Sequence, residues 1–308
     1  MQREAATVRP TDRVESLAAF FQARADKPSA FCDDCPPSRR FALMAATYVT
    51  AAGLERLARD LTDRDGAVLD SLNRLRLATT AQLGALHFSG GATAEADARA
   101  CRRTLARLRN ARLVHPLDRR VGGVRAGSAG ITWALGVAGQ RLLARGGVPR
   151  RPWTPSPDFI DHRLAITQLY VDLMTTSGPG RVHRFEAEPD SWRRYPGAGG
   201  GRVWIKPDAF LMVRSTDYDQ VDYLECDLAT ESPVVIARKA EAYRQHLQSG
   251  QGQREHDGIY PFVTFTVPTE QRRRVIEKAL DRYATSHPHL FRVLLASDAA
   301  RVLLGGES

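Results

Sequence analysis

The chain has 308 residues, 43% of them hydrophobic and 26% charged, enough for two separate cores and the profile of a globular protein. No apolar run approaches the roughly 20 residues of a membrane span, and the opening MQREAATVRP lacks the apolar core of a secretory signal, so a cytoplasmic, nucleoid-associated protein without a membrane partner is expected. The net charge of +9 is uneven, +11 over residues 1–152 and −2 over 153–308, which assigns the attraction to a polyanion to the first half and leaves the second acidic enough to hold a metal.

Residues 14–25 and 42–61 have helical spacing, separated by the breaker-rich stretch 27–40. Together they make a helical or partly disordered extension over 1–60. Cys32 and Cys35 form a C-x-x-C, but no second pair follows and His87 and His115 are distant in sequence, so two thiols in a flexible segment are expected rather than a zinc site. From Thr62 a helix begins, with Val68, Leu69, Leu72 and Leu75 on one face. A short second helix starts at Thr80, carries Leu83 and Leu86, and stops near Gly90 and Gly91. The third, 93–113, sets Arg99, Arg102, Arg103, Arg107, Arg109 and Arg112 around a stripe of Ala98, Cys101, Leu105 and Leu108.

Two strand-like runs, 113–117 and 131–135, flank an Arg- and Gly-rich segment with Arg119, Arg120 and Arg125 at its tip. Three helices followed by a hairpin predict a winged helix-turn-helix over 61–146, with arginines on the two parts such a fold presents to double-stranded DNA. Phosphate contacts from these residues would make binding strongly salt-dependent.

Residues 147–157 hold a glycine, four prolines and two adjacent arginines and read as a linker. An α/β domain over 158–298 follows, with a tail at 299–308. It opens on a helix, 158–176, near whose start lie Asp161 and His162. A strand at 182–188 places Glu186 and Glu188 on one face, and 195–202 is a glycine-rich turn. The central stretch 206–243 reads strand, turn, strand, helix. Further on, 259–267 is an apolar strand, 269–285 a helix and 291–296 a last strand.

The central hairpin carries the chemistry. Asp208 follows Pro207 on its first strand, and Glu225 and Asp227 share one face of its second. Three carboxylates gathered on one sheet face repel one another unless a cation sits among them, and oxygen ligands of this kind suit Mg2+ or Mn2+. Lys239 and Tyr243 fall one turn apart on the helix that follows, and Lys206 and Lys239 are two of only four lysines among 44 basic residues.

The Pro207-Asp208 and Glu225-Cys226-Asp227 motifs resemble those of the PD-(D/E)xK nuclease superfamily, whose restriction-endonuclease-like core runs αβββαβ. The resemblance implies that Asp208 and Glu225 hold the metal, that Asp227 occupies the usual lysine position, and that Lys239 has taken over the lysine's part. It makes Asp227 a further ligand and Glu186 or Glu188 the completion of a second metal site. More narrowly, the E-C-D-L-A-T-E-S run, the K-x-x-x-Y after it and the winged helix resemble the replication-relaxation family of actinobacterial plasmids and mobile elements, over roughly residues 60 to 296. The function implied is a Mg-dependent DNA endonuclease acting in replication or mobilisation, as a homodimer and beside other replication, mobilisation or recombination proteins. The alternative is a catalytically degenerate nuclease-fold DNA-binding factor, for which Asp227 in place of lysine is the main argument. A tyrosine-histidine relaxase would need a cluster of histidines for its metal site and is not expected.

Overall fold

Thr62 starts the first long helix by a reciprocal cap: its hydroxyl accepts from the Asp65 backbone N–H at 3.2 Å, and the Asp65 carboxylate accepts from the Thr62 N–H at 2.9 Å. The computed structural model describes residues 50–117, 130–144, 156–197, 200–216, 218–284 and 287–306. Arg119, Arg120 and Arg125 at the expected wing tip, Cys32 and Cys35, and most of the expected linker lie outside the described residues. Those described belong to one unit spanning 46–308, a mixed α/β structure with ten helices.

The N-terminal part comprises α1 (Ala51–Asp60), α2 (Asp63–Leu75), β1 (Ala78–Thr79), α3 (Thr80–His87), α4 (Ala94–Asn110), β2 (Val114–Pro116), β3 (Thr132–Leu135) and α5 (Val137–Leu143). Val68, Leu69 and Leu72 of α2, Leu83 of α3, and Cys101, Leu105 and Leu108 of α4 close around Trp133 and Leu135 of a three-stranded sheet of order β1-β3-β2. Leu54 and Leu57 of α1 pack against the same core. Ala98, expected on the apolar stripe of α4, is exposed instead. It lies in the first turns, before the helix reaches the core. The α5 helix lies tight against β2 because Gly136 and Gly139 lack side chains: a Cβ on either would fall 2.2 Å from the carbonyl oxygen of Arg112 or Leu113.

Arg107, expected to face DNA, reaches back to α2, where its Nη2 lies 2.6 Å from Asp65 Oδ1. Burial raises the Asp65 carboxyl, but its hydrogen bonds with the Thr62 backbone and Arg107 outweigh this and hold it below the ordinary value. A carboxylate whose pKa is depressed by folding adds stability above its unfolded pKa, near 3.9, and loses it as the pH falls through the folded value. Asp65→Asn is expected to lower stability at neutral pH by about 2 kcal/mol, or roughly 4–8 °C in Tm. The deficit should narrow in acid, where the wild-type carboxylate is itself protonated. Melting curves from pH 7 down to pH 3 check both, and a Tm unchanged at pH 7 would show the clamp to be worthless.

The second part runs α6 (Pro157–Thr175), β4 (Arg181–Ala187), β5 (Arg193–Pro196), β6 (Arg202–Ile205), β7 (Ala209–Arg214), β8 (Asp219–Cys226), α7 (Pro233–Gln248), α8 (Gln251–Glu255), β9 (Phe262–Val267), α9 (Glu270–Ala284), β10 (Phe291–Leu295) and α10 (Ala296–Leu303). Five strands form one sheet in the order β10-β9-β8-β7-β4. The first three in the chain pair antiparallel as β4-β7-β8, whereas β8, β9 and β10 are parallel. One face packs on α6 and α10 through Ile166, Leu169, Leu173 and Leu303. The other packs on α7 and α9 through Ile236, Ala240, Ile276 and Leu280.

Two expectations change. The stretch 195–202, read as a turn, lies within a separate two-stranded ribbon in which β5 pairs with β6. Residues 299–308, read as a tail, begin inside α10, whose Ala299, Ala300 and Leu303 are buried. Apolar burial orders that segment although no side chain caps the helix.

The two parts share side chains. Leu75 lies in the core of α6 and Leu86 packs against it. Thr167 Oγ1 donates to the Leu77 carbonyl at 2.7 Å, Gln82 Nε2 to the Leu164 carbonyl at 3.0 Å, and Arg74 Nη1 to the Tyr170 hydroxyl at 3.0 Å.

Candidate metal centre

Asp208 sits where β4, β7, β8 and α6 meet. Ala209 pairs with Leu224, and Phe210 and Tyr223 point into the core under α7. By strand alternation Asp208 and Glu225 therefore project to that same side. The Asp208 side chain is nearly buried and both oxygens are engaged: Oδ2 accepts from the Cys226 backbone N–H at 2.7 Å, and Oδ1 lies 3.0 Å from His162 Nε2. The Asp208 carbonyl accepts from the Glu188 N–H at 3.0 Å, which brings Glu188 alongside. Arg163, itself buried, fixes Glu188 by donating Nη2 to its carbonyl at 2.7 Å and pairing Nη1 with Oε1 at 3.1 Å.

One ligand atom from each of His162, Glu188 and Asp208 lies within 4.8 Å of the others. The hydrogen bond to Asp208 holds the His162 imidazole above its ordinary pKa, against the effect of burial. The donors are two carboxylates and one ring nitrogen, each aimed by a neighbour. Such a set fits a divalent cation, and the nitrogen favours Mn2+ more than an all-oxygen set would.

Glu225 is 2% exposed and is held from α7. Lys239 Nζ lies 2.8 Å from its Oε2, and the Tyr243 hydroxyl donates to its Oε1. Lys239 also pairs with Glu231 at 2.9 Å. Burial and the nearby Asp208 push the Glu225 carboxyl up to about 7, although Lys239 and Tyr243 draw it down. Burial disfavours the Lys239 ammonium, but Glu225 and Asp208 outweigh this and hold its pKa above the ordinary value. Lys239 and Glu225 thus share a short contact in a buried setting, and burial beside Glu225 keeps Tyr243 a neutral phenol.

Asp227 is occupied differently. Arg272 of α9 grips it with two bonds, Nε to Oδ1 at 2.7 Å and Nη2 to Oδ2 at 2.6 Å, and the Ala229 N–H adds a third at 2.7 Å. Asp227 is not among the residues whose ligand atoms cluster with His162 and Glu188. Glu186 is likewise taken, by Arg184 and by Arg193 at 2.8 Å. Asp161, next to His162, is exposed. The geometry thus gathers Asp208, Glu188 and His162, sets Glu225 and Lys239 beside them, and leaves Asp227 and Glu186 in ion pairs of their own.

On α4, Arg99, Arg102, Arg103 and Arg109 are exposed, and none forms an ion pair with another described residue. Arg107 is exposed too but committed to Asp65. Sequence reasoning missed Arg163, Glu231 and Arg272. Arg163 had a signal in its place next to His162 on a helix otherwise rich in apolar residues. Arg272 had none, standing 45 positions from Asp227 in sequence.

Among the described residues no helix is long and apolar enough to cross a membrane. No curated protein and no solved structure matches the chain. The family model described as replication-relaxation matches residues 69–263, from within α2 into β9, and so spans the α4 arginines and every residue of the candidate centre. With well over half of its length matched, the chain belongs to the replication-relaxation family.

Proposed function

We propose that this protein processes DNA in the replication or mobilisation of a plasmid or mobile element. Its N-terminal part acts as a winged helix-turn-helix and its second part as a PD-(D/E)xK phosphodiesterase of restriction-endonuclease-like fold. The order α6, β4, β7, β8, α7, β9, antiparallel at first and parallel from β8 onward, supports the nuclease assignment. The order of α2, α3, α4 and the β2–β3 hairpin supports the winged helix. The observation that carries the reading is Asp208, which precedes the Ala209–Leu224 pair as Glu225 follows it and clusters with His162 and Glu188.

His162, Glu188 and Asp208 would hold the cation, with Glu225 adjoining. Bound there, it would lower the pKa of a water and neutralise charge on the scissile phosphate. The protein's own groups supply the rest. Arg163 and the Cys226 N–H fix the carboxylates, and Lys239, aimed by Glu225 and Glu231, offers a positive charge to a phosphoryl oxygen in the transition state. The exposed α4 arginines contact phosphates and position the duplex.

The test is incubation of the full chain with supercoiled, linear and branched DNA in Mg2+, Mn2+ or EDTA. Metal-dependent cleavage is expected, with Mn2+ at least as effective as Mg2+. Serine at both Arg102 and Arg103 is expected to weaken binding to any duplex sequence and to reduce the salt slope by about 2. A second reading, a nuclease-fold DNA-binding factor without catalysis, is favoured by Asp227 at the usual lysine position and by the occupancy of both Glu225 oxygens. Binding without cleavage on all substrates would establish it and overturn the phosphodiesterase.

A further inference from the structure

The β5–β6 ribbon stands apart from the main sheet and feeds directly into the candidate centre, since β6 ends at Ile205 and Lys206-Pro207 leads to Asp208. Its inner face is anchored: Tyr195 and Ile205 are buried in the core beneath α7. Arg193 pairs with Ile205 and Arg194 with Trp204 in register, so alternation puts Trp192 and Arg194 on the outer face opposite Lys206 and Trp204. Arg202, two residues before Trp204, lies on that face as well.

The outer face is built of cations interleaved with indoles. The Arg194 guanidinium lies 5.8 Å from the Trp204 ring centre, and Lys206 Nζ lies 4.5 Å from that of Trp192. Arg194, Arg202, Trp204 and Lys206 are exposed, and none of the three cations forms an ion pair with another described residue. This face holds two of the chain's four tryptophans. A solvated ribbon has no need of an indole 37% exposed between unneutralised charges.

We infer that this ribbon face binds an unpaired DNA strand, stacking a base on Trp204 and holding its phosphates with Arg194, Arg202 and Lys206, so that the strand is led to Asp208. Cations that track a backbone and an aromatic plane that accepts any base are what sequence-tolerant single-strand binding requires. In a duplex the base faces are already stacked and cannot reach Trp204. The α4 arginines and the ribbon therefore divide the work, the former holding duplex and the latter an opened strand. The inference rests on the DNA-processing reading given above.

The experiment measures anisotropy of a fluorescein-labelled oligothymidylate and of a hairpin duplex with the full-length wild type and with Trp204→Ala, Trp204→Phe and Arg194→Ala/Arg202→Ala. Trp204→Ala is expected to lose about tenfold in affinity for oligothymidylate. Its duplex affinity should stay within twofold, and phenylalanine should restore most of the loss. The double arginine variant should weaken oligothymidylate binding and flatten its salt dependence. All three positions are exposed, so Tm should hold, and the phenylalanine rescue separates stacking from a folding defect. Equal losses on duplex and oligothymidylate, or none on either, would overturn the ribbon assignment while leaving the DNA-processing reading in place. A wild type that binds neither probe would bring down both.

Discussion

Asp208→Asn is expected to reduce divalent-metal-dependent DNA cleavage by roughly three orders of magnitude while leaving duplex binding unchanged. The size follows from the position of the side chain. Asp208 acts on both halves of the centre, bonding to His162 from one oxygen and raising the Glu225 carboxyl through its charge. Asparagine keeps the shape and can still accept from the Cys226 N–H, so the loss reports charge rather than fold. The arginines proposed to hold duplex lie on α4, in the other part of the unit. A readout independent of turnover is Mn2+ binding by calorimetry. It should weaken at least tenfold in Asp208→Asn if the carboxylate is a ligand, about the cost of losing one well-placed group at a metal. Cleavage retained at the wild-type level would remove Asp208 from the mechanism. Cleavage lost with Mn2+ affinity intact would make it a positioning residue for His162.

Asp208 and Glu225 were legible in the sequence because strand periodicity is a short rule. An acid after Pro207 and another on the far side of a polar turn must lie on neighbouring strands, and alternation decides their face. Lys239 and Tyr243 were legible for the same kind of reason, since residues four apart on a helix share a side and both meet Glu225. His162 could be named as a candidate, but only α6 crossing the sheet brings its ring to Asp208. The order of helices and strands came through as well, because long amphipathic runs are set by burial.

What failed to come through depended on tertiary choice. The ribbon has four-residue strands, one of them Arg193–Pro196, with little alternation to read beside its glycine-rich connection. The eight-residue α10 has no capping side chain, and its helical state is decided by the core it covers. Asp227 was read as a ligand because its face is right. Its partner enters from α9, and no local spacing could announce that an arginine would occupy it.

That occupancy leads to the second large effect. Arg272→Ala is expected to cost about 3–5 kcal/mol of stability, because it strands the Asp227 carboxylate, 6% exposed, with no other cation paired to it among the described residues. In a unit of this size that is a Tm fall of roughly 10 °C. Asp227→Ala alone should also destabilise, since it leaves the guanidinium, itself mostly buried, with only the Glu231 carbonyl at 2.6 Å. The double variant should be more stable than the sum of the two losses predicts, by a coupling of about 1–3 kcal/mol. Urea unfolding of the four proteins completes the cycle. A metal ligand behaves otherwise: removing Asp227 would relieve repulsion among acids in the metal-free protein, raise its stability and abolish Mn2+ binding. The clamp also reaches the centre indirectly. Arg272 holds the Glu231 carbonyl, Ala229 turns with a φ of +63°, and the Glu231 carboxylate supports Lys239. Arg272→Ala should therefore lower cleavage through a misplaced Lys239 while leaving Mn2+ affinity within a few-fold of the wild type. That pattern distinguishes a residue that shapes the β8–α7 connection from one that binds the ion. It would mean that the position where PD-(D/E)xK nucleases carry lysine is here given over to holding the loop, with its charge supplied from one helix further along.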